Sequence, residues 1–310
     1  MAGSDRRRRR ALALVALGAL SLVWGTQYLV IKAGQATVPP LCTVALRFAV
    51  VAVASQAIVW VGGLRAPPGS LPARALFGVA QAVSMGTLYW SEGHIPSAMA
   101  AILVATEPFF VAALAHRLVA GERLTARTAL ALGVGFLGLA LITLGKGAGE
   151  ERPRIELLAT LVVVAGCLAG ALNKVVGKRL ALGVPAPVVM RDMGVSVALA
   201  LGAASLLVER GSPIHFTARA IAAFAYLGLV ASTAASTVYF VLLRRFPVTA
   251  MSYLQFVTAL VAVATGIGLG RERLGAGVAL GACAVLAGLA LLAKPRAEER
   301  VEARAAERER

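Results

Sequence analysis

Residues that carry catalysis and metal binding are scarce in this sequence. Among its 310 residues are three cysteines and three histidines. Cys42, Cys167 and Cys283 lie inside apolar runs without paired spacing, which argues against disulfides and against a zinc site. The histidines are scattered, whereas a membrane-embedded transferase would need acidic or histidine side chains that converge at one interface. We therefore expect no enzymatic activity, no metal ion and no cofactor.

Two further motif classes are absent from the sequence. No G-x-x-x-x-G-K-[ST] loop, which cradles phosphates in ATP-driven proteins, occurs in the chain. The formal net charge is +16, but the arginines form short clusters between apolar runs, and no aromatic-interleaved basic surface is present. We therefore expect neither ATP-driven pumping by this chain alone nor binding of nucleic acid.

Apolar residues dominate the sequence instead. Hydrophobic residues make up 59% of the chain and charged residues 15%, and the mean hydropathy is +0.80. One soluble core of this length cannot bury so much apolar surface, so the lipid bilayer is the expected solvent. Runs of roughly 18 or more residues, enough to cross a hydrocarbon core of about 30 Å, predict ten membrane-spanning helices. These runs are 11–31, 41–62, 74–91, 96–118, 127–146, 156–180, 187–209, 218–243, 247–270 and 274–293.

The distribution of lysine and arginine predicts the orientation of these helices. With the N-terminus inside the cell, most of the basic residues fall in cytoplasmic segments. The positive-inside rule then places both termini in the cytoplasm of a multi-pass protein of the cell (inner) membrane. The predicted organisation is a basic cytoplasmic N-terminus (1–10), a first five-helix repeat (11–146), an external linker (147–155), a second five-helix repeat (156–293) and a charged cytoplasmic tail (294–310).

One apolar span occurs in two copies. The stretch 96–124 begins with proline, carries Ala-Met near its start and closes on Glu-Arg-Leu, and the stretch 247–274 repeats these features. Because the linker divides ten spans five and five, and five is odd, the second copy must enter the membrane in the opposite sense. Inverted repeats related by a pseudo-two-fold axis in the membrane plane are typical of secondary transporters. The predicted fold class is therefore an all-α polytopic membrane protein with ten transmembrane helices in two inverted five-helix repeats.

Several short motifs recur in the order found in one transporter family. They are Trp24-Gly25 with Lys32 in the first span, Pro40 with Arg47 in the second, Glu107-Pro108 in the fourth, and Gly121-Glu122-Arg123-Leu124 after it. With ten spans, the chain resembles the EamA-type transporters of the drug/metabolite transporter superfamily from Leu22 to Leu292. The resemblance implies ten helices, a central cavity between the halves and export of small metabolites or drugs. The chain departs from the family pattern at Thr258-Ala259, where many relatives have Glu-Pro, and at Arg271, where glycine is usual.

Glu107 is the only acidic residue near the centre of a predicted span. An ionised carboxylate there costs about 2.5–3.5 kcal/mol on insertion scales, so we expect it to be protonated, paired or facing water. As a proton carrier, it would couple transport to protons. As a structural group, it would cap backbone freed by Pro108 or hydrogen-bond across to another helix. The occurrence of Glu-Pro throughout the resembled family, whatever the substrate, favours the structural role.

Arg47, Arg191 and Lys174 are basic residues that also lie within predicted spans. Arg47 and Arg191 are within roughly two helical turns of a membrane boundary, which favours structural charges that extend to the headgroups. The alternative is pairing with acceptors inside the membrane. Asp192 follows Arg191 but points about 100° away around the helix, which argues against a direct pair. Lys174 lies near a predicted helix end, where we expect an interfacial position and no ligand contact.

Polar and aromatic side chains gather on single faces of four spans. In lipid such faces turn inward, either as interhelical packing contacts or as the wall of a shared cavity. A cavity with aromatic walls is favoured, and its rings would stack against planar or cationic substrates. The predicted substrate-binding residues are Trp24, Gln27, Tyr28, Gln81, Ser84, Tyr239, Tyr253, Gln255 and Thr258.

The fifth and tenth predicted spans are rich in glycine and alanine. Gly133, Gly135 and Gly138 lie in one, and Gly277 and Gly281 in the other. Small residues allow helix backbones to approach closely. Bracing of the bundle is favoured for these two helices, and contact between copies in a homo-oligomer is the alternative.

Together these patterns predict a secondary transporter that exports a small organic metabolite or drug-like solute by alternating access. The expected partners are a small-molecule substrate and the lipid bilayer, with protons as an open candidate for the coupling ion. The alternatives are a membrane channel or receptor, and a facilitative carrier without proton coupling. A channel would need a continuous polar lining and a receptor would need a ligand-binding ectodomain, whereas every loop here is short.

Overall fold

Apolar runs of this length fold as helices because a helix satisfies its backbone polar groups within one segment, which lipid requires. The computed structural model describes residues 2–118, 126–144, 154–245, 251, 253–271 and 275–293, and within these ranges all regular structure is helical. The helices are α1 Ala2–Gln35, α2 Pro40–Val61, α3 Leu71–Glu92, α4 Ser97–Val104, α5 Glu107–Leu118, α6 Ala126–Leu144, α7 Arg154–Gly183, α8 Ala186–Val208, α9 Ala218–Ala225, a π-helix Tyr226–Ala234, α10 Ala235–Arg245, α11 Tyr253–Gly268 and α12 Ala276–Ala293.

The chain is a polytopic membrane protein. Six helical stretches are long and apolar enough to cross a membrane: Val15–Gln35, Pro40–Val61, Ser97–Leu114, Arg154–Gly183, Ala186–Val208 and Ala218–Arg244. Shorter apolar helices occupy Ala129–Ile142, Val257–Gly268 and Ala276–Gly288. The outer surface is also apolar, since Val53, Leu199 and Leu206 are 70–75% exposed. Lipid accommodates such a surface, because its chains are as apolar as these side chains.

Helices α1 and α7 extend beyond the spans predicted for them. Helix α1 begins at Ala2, so the arginine run is helical and continuous with the first span. Helix α7 begins at Arg154 and therefore includes the last residues of the predicted linker 147–155. The rest of that linker and the tail 294–310 lie outside the described residues.

The fourth predicted span is broken at Ala105 and Thr106. Helix α4 ends at Val104 and α5 begins at Glu107, because Pro108 has no N–H and its ring clashes with the carbonyl four residues earlier. The hydroxyl of Thr106 donates to the carbonyl of Leu103 at 2.6 Å. The carbonyl of Leu103, near the end of α4, is therefore bonded locally, and local partners of this kind are what a membrane interior requires.

The eighth predicted span contains the π-helix Tyr226–Ala234. Such a segment changes the helical register, and π-bulges are frequent at functional sites. The carbonyl of Ala231 in this segment accepts a hydrogen bond from Nε1 of Trp24 at 2.9 Å. The π-helix therefore fixes the orientation of an indole ring on α1.

Helices α6 and α12 pack closely and antiparallel. A Cβ at Gly138 would lie 2.7 Å from the carbonyl oxygen of Gly281, and a Cβ at Gly281 would lie 2.6 Å from the carbonyl oxygen of Gly138. Glycine is therefore required on both sides of this contact. Nη2 of Arg127, at the start of α6, donates to the carbonyl of Leu291, near the end of α12, at 2.7 Å. The glycine-rich helices thus brace each other, as the sequence favoured.

Helices α2 and α8 form a second antiparallel pair. The carboxylate of Glu209, just after α8, accepts hydrogen bonds from the backbone N–H groups of Leu41 at 2.7 Å and Cys42 at 3.0 Å. These donors have no partner within their own helix, and a negative charge at a helix N-terminus is stabilising. The end of one helix is thereby held against the start of the other. Further pairs are α1 with α11 and α3 with α7.

Candidate functional site

A central cavity lies between helices from both halves of the chain. It contains about 1160 Å³ of space free of protein atoms, part of which is open to solvent. The wall is formed by residues of helices α1, α2, α3, α4, α5, α7, α8, α10 and α11 and of the π-helix. The lining is mainly apolar and aromatic with a few polar and charged side chains, which is the usual composition of a small-molecule site.

Nearly all of the predicted substrate-binding residues lie on this one cavity. The lining includes Trp24, Gln27, Tyr28, Gln81, Ser84, Tyr239, Gln255 and Thr258. The side chain of Tyr253, which belongs to the same prediction, lies outside the described residues. Within each helix, the residues of this set face the cavity together because positions three and four apart share a helix face. Their role in binding stays a prediction.

Aromatic rings form one wall of the cavity. The rings of Trp24 and Tyr239 have their centroids 5.4 Å apart, tilted by 53°. Phe240 meets Phe77 edge-on at 5.8 Å. Because the indole N–H of Trp24 is bound to a backbone carbonyl of the π-helix, that ring is fixed in orientation. Such rings provide a flat apolar surface against which a planar group can stack.

Glu107 forms an ion pair with Lys174 on α7. The Nζ and Oε2 atoms are 2.9 Å apart, and the side chains are 9% exposed for Glu107 and 25% for Lys174. The interfacial position expected for Lys174 is wrong, because α7 continues to Gly183 and keeps this residue away from the helix end. A Cβ at Gly170 would collide with the Glu107 carboxylate, so glycine leaves the space that the carboxylate occupies.

The break next to Pro108 does not use Glu107 as its cap. The hydroxyl of Thr106 bonds to the carbonyl of Leu103 near the end of α4, while the Glu107 carboxylate reaches across to α7. Of the two structural roles considered from sequence, the geometry shows the hydrogen bond to another helix. Proton transfer at Glu107 is a separate question, which the geometry leaves as a prediction.

Arg47 is a buried part of the cavity wall, with its side chain 4% exposed. Its Nε donates to the hydroxyl of Ser232 at 2.8 Å and its Nη1 to the hydroxyl of Tyr89 at 2.9 Å. Its Nη2 donates to Oε1 of Gln27 at 3.0 Å. The favoured interpretation from sequence, a side chain extended to the headgroups, is therefore wrong for Arg47. Acceptors on α1, α3 and the π-helix hold it inside the bundle.

Arg191 has a different environment, outside the cavity lining. Its Nε lies 2.7 Å from Oδ1 of Asp192, and Oδ2 of Asp192 pairs with Nη1 of Arg74 on α3. The sequence argument against an Arg191–Asp192 pair is wrong, because a long guanidinium side chain spans the angular offset between adjacent residues. One carboxylate thus serves two arginines on two helices.

The sequence interpretation missed the contribution of α7 to the cavity. Gly170, Asn173, Lys174 and Gly177 all line it. Nδ2 of Asn173 donates to the carbonyl of Phe77 at 2.9 Å, so this amide also joins α7 to α3. The positions follow an i, i+3, i+4, i+7 pattern, which marks one helix face. That spacing of small and polar residues is the signal that could have identified them.

Thr258 adds a buried polar group to the cavity. Its residue is 2% exposed, and within the described ranges its Oγ1 makes no hydrogen bond. Buried polar atoms are nearly always paired. This hydroxyl therefore stands out among the lining residues.

Comparison with known proteins identifies similar chains. The model of the EamA-like transporter family matches residues 10–144. The Escherichia coli K12 protein named "Uncharacterized inner membrane transporter YedA" is 30% identical over 267 residues, which cover 84% of this chain and 83% of that protein. The Salmonella typhimurium protein named "Probable amino-acid metabolite efflux pump" is 25% identical over 280 residues, which cover 86% of this chain and 90% of that protein.

A solved structure described as "Crystal structure of protein" shares the fold. Its TM-score is 0.66 at 19% sequence identity, and the match covers 91% of this chain and 96% of the other. At this level of identity, the likeness concerns the fold alone.

Proposed function

Since the chain belongs to the EamA-type transporters of the drug/metabolite transporter superfamily, we propose that it moves a small organic solute across the inner membrane by alternating access. The observation that carries this proposal is the cavity between the two halves, which combines aromatic walls with paired charges and buried polar groups. A site between two halves can be opened to either side when the halves rock against each other.

The packing of the helices supports an inverted repeat. If 11–146 and 156–293 are equivalent, exchanging them pairs α2 with α8 and α6 with α12, and each of these pairs is in contact. Both pairs run antiparallel, as the hydrogen bonds of Glu209 and Arg127 indicate. Equivalent helices of an inverted repeat must have opposite directions in the membrane. The proposed ten spans count α4 with α5 as one and α9, the π-helix and α10 as one.

The proposed orientation places both termini in the cytoplasm. It rests on the excess of lysine and arginine in the segments on that side of the membrane. Export is the proposed direction, and the name of the Salmonella relative, an efflux pump, supports it.

Proton coupling through Glu107 is one version of the mechanism. In this version the carboxylate alternates between a proton and Lys174 as partner while the halves rock. A facilitative carrier is the second candidate, and the 2.9 Å ion pair favours it because Lys174 already compensates the carboxylate.

Reconstitution into liposomes tests transport. Liposomes that contain the protein should exchange labelled solutes from a panel of organic acids, amides and amines faster than empty liposomes do. Turnover of a solute into a product without net movement would contradict the transporter proposal.

The pH dependence of the same flux separates the two mechanisms. If Glu107 carries protons, Glu107→Gln should abolish the response of flux to an imposed pH gradient. A response to the gradient that is unchanged in Glu107→Gln would rule out Glu107 as the carrier. Lys174→Met is the matched variant, because it removes the partner and leaves the carboxylate in place.

A further inference from the structure

Arg47 is a buried cation without a carboxylate partner in the described part of the chain. Its hydrogen bonds go to two hydroxyls and one amide oxygen, all of which are neutral. By contrast, Arg74 and Arg191 both form ion pairs with Asp192. Burying a charge without an opposite charge is costly. Within the described residues, Arg47 is therefore held at the cavity wall by neutral acceptors and by the rings of Phe48 and Tyr89, without a carboxylate beside it.

The other charges of the cavity do not compensate Arg47. Glu107 is the only acidic residue of the lining that the structure describes, and it is held 2.9 Å from Lys174. Arg47 and Lys174 set against Glu107 leave one positive charge in excess. The cavity is therefore electrostatically suited to an anion and unsuited to a cation.

The guanidinium of Arg47 has N–H donors that its hydrogen bonds within the protein do not use. A guanidinium has five N–H groups, and three of them are used in the hydrogen bonds to Ser232, Tyr89 and Gln27. One N–H remains on each terminal nitrogen. Arginine binds carboxylates with charge-assisted hydrogen bonds that are about twice as strong as neutral ones.

A second observation points to a missing ligand. Oγ1 of Thr258 lines the same cavity, is buried, and has no hydrogen-bond partner within the described ranges. Folding alone gives no reason to place an unpaired hydroxyl there, since a buried polar group without a partner is destabilising. A polar group of a bound solute would remove that cost.

We propose that the solute of this cavity is a small organic acid whose carboxylate is bound by Arg47, with its apolar or planar part against Trp24 and Tyr239. This assignment rests on the proposed transport function and specifies its substrate class. It replaces the cationic class that the aromatic rings alone suggested, because a cation would be repelled by the excess positive charge.

Matched ligands test the assignment by their binding to the purified protein. Indole-3-acetate, indole-3-acetamide and tryptamine share one ring system and differ in charge, and hexanoate, hexanamide and pentylamine form an aliphatic series. Affinities are measured by isothermal titration calorimetry. In at least one series the carboxylate should bind about 10- to 100-fold more tightly than its amide, as expected for a hydrogen bond to a charged group. The assignment is wrong if no carboxylate binds more tightly than its amide.

A variant that supplies an internal counter-ion gives the sharper test. Gln27→Glu places a carboxylate at the atom that now accepts from Nη2 of Arg47 at 3.0 Å. It should preserve or raise the thermal unfolding midpoint and weaken binding of the carboxylate about 10- to 100-fold more than it weakens binding of the matched amide. Gln27→Met, of similar size and without charge, is the control and should keep the preference for the carboxylate. Carboxylate affinity that is equal in Gln27→Glu and Gln27→Met would overturn the assignment.

Measurements of flux and of binding distinguish a failure of this inference from a failure of the transport proposal. Flux of amides or amines without preference for carboxylates would refute the anion assignment and leave the transporter proposal standing. Carboxylate binding that depends on Arg47 without any flux would refute transport and leave the assignment of the site standing.

Discussion

Arg47 and Arg191 follow a proline at the start of α2 and of α8, in corresponding parts of the two halves, yet their surroundings are opposite. Arg191 lies beside Asp192, which also pairs with Arg74. Arg47 is bound by neutral acceptors and faces the cavity. The difference indicates that Arg191 is a structural charge, whereas Arg47 has no carboxylate partner in the described part of the chain, as the proposed anion site requires.

Helix packing is similar in the two halves of the chain, whereas the surroundings of the charged residues are not. Gly138 on α6 and Gly281 on α12 each lie against the other's carbonyl at nearly the same distance. Backbone contacts are thus alike for α6 and α12. Of the charged residues that line the cavity, Arg47 and Glu107 belong to the first half of the chain and Lys174 belongs to the second. A duplicated fold can retain its packing while its site residues diverge.

The largest effect is expected for Asp192→Asn. The substitution leaves Arg74 and Arg191 without their shared carboxylate, and breaking a buried pair costs about 3–5 kcal/mol. Because the three side chains are 10–27% exposed, we expect about 3 kcal/mol, measured by reversible unfolding in mixed micelles. Arg191→Gln leaves the Arg74–Asp192 pair intact and should cost less than about 1 kcal/mol.

Arg47→Gln tests the difference between Arg47 and the Arg191–Asp192 pair in the same unfolding assay. It removes a cation that has no counter-ion, so its cost should be less than half that of Asp192→Asn. An equal or greater loss would mean that Arg47 is mainly a structural charge, like Arg191.

Gly138→Ala and Gly281→Ala should have intermediate and similar effects. Each added Cβ would meet a backbone carbonyl across the α6–α12 contact, and overpacking of this kind costs about 1–3 kcal/mol. Gly133→Ala is the control, because a Cβ at this position on α6 meets nothing within 4 Å. Thermal unfolding of the three variants makes the comparison, and unequal effects at Gly138 and Gly281 would break the proposed equivalence of the two helices.

The smallest effect is expected for Glu209→Gln. The Glu209 carboxylate caps the start of α2, whereas the start of α8 has no side-chain cap, so this contact is present on one side only. Losing the negative charge at the helix N-terminus should cost about 1 kcal/mol. Thermal unfolding checks the value, and Ser205→Ala, which removes only the hydroxyl that donates to this carboxylate, should cost less. No loss in Glu209→Gln would show that the charge of the cap is unimportant.

Hydropathy was sufficient to predict an all-helical polytopic membrane protein, and helical spacing was sufficient to predict many residues of the cavity. Trp24, Gln27 and Tyr28, for example, share a face of α1 and lie on the cavity together. Both predictions depend on periodicity within one helix, which a single sequence contains.

Contacts between helices were harder to predict. Lys174 was assigned to an interface because the sequence gives no sign of its partner, and its distance from Glu107 depends on how two helices pack. The π-helix Tyr226–Ala234 has no recognisable sequence signal, although it positions Ser232 against Arg47. Charge pairing is a property of the assembled bundle, so sequence spacing gave the wrong surroundings for Arg47.

The central claim is that the solute crosses the membrane through the cavity between the halves. Ser236 on α10 lines this cavity, and Val238, two residues further along, is 41% exposed on the outside. Exchange of labelled solute by proteoliposomes is measured for Ser236→Trp, which fills the cavity, and for Val238→Trp, which adds the same ring on the lipid side. Flux should fall to the level of empty liposomes in Ser236→Trp and persist in Val238→Trp, whereas undiminished flux in Ser236→Trp would contradict the account.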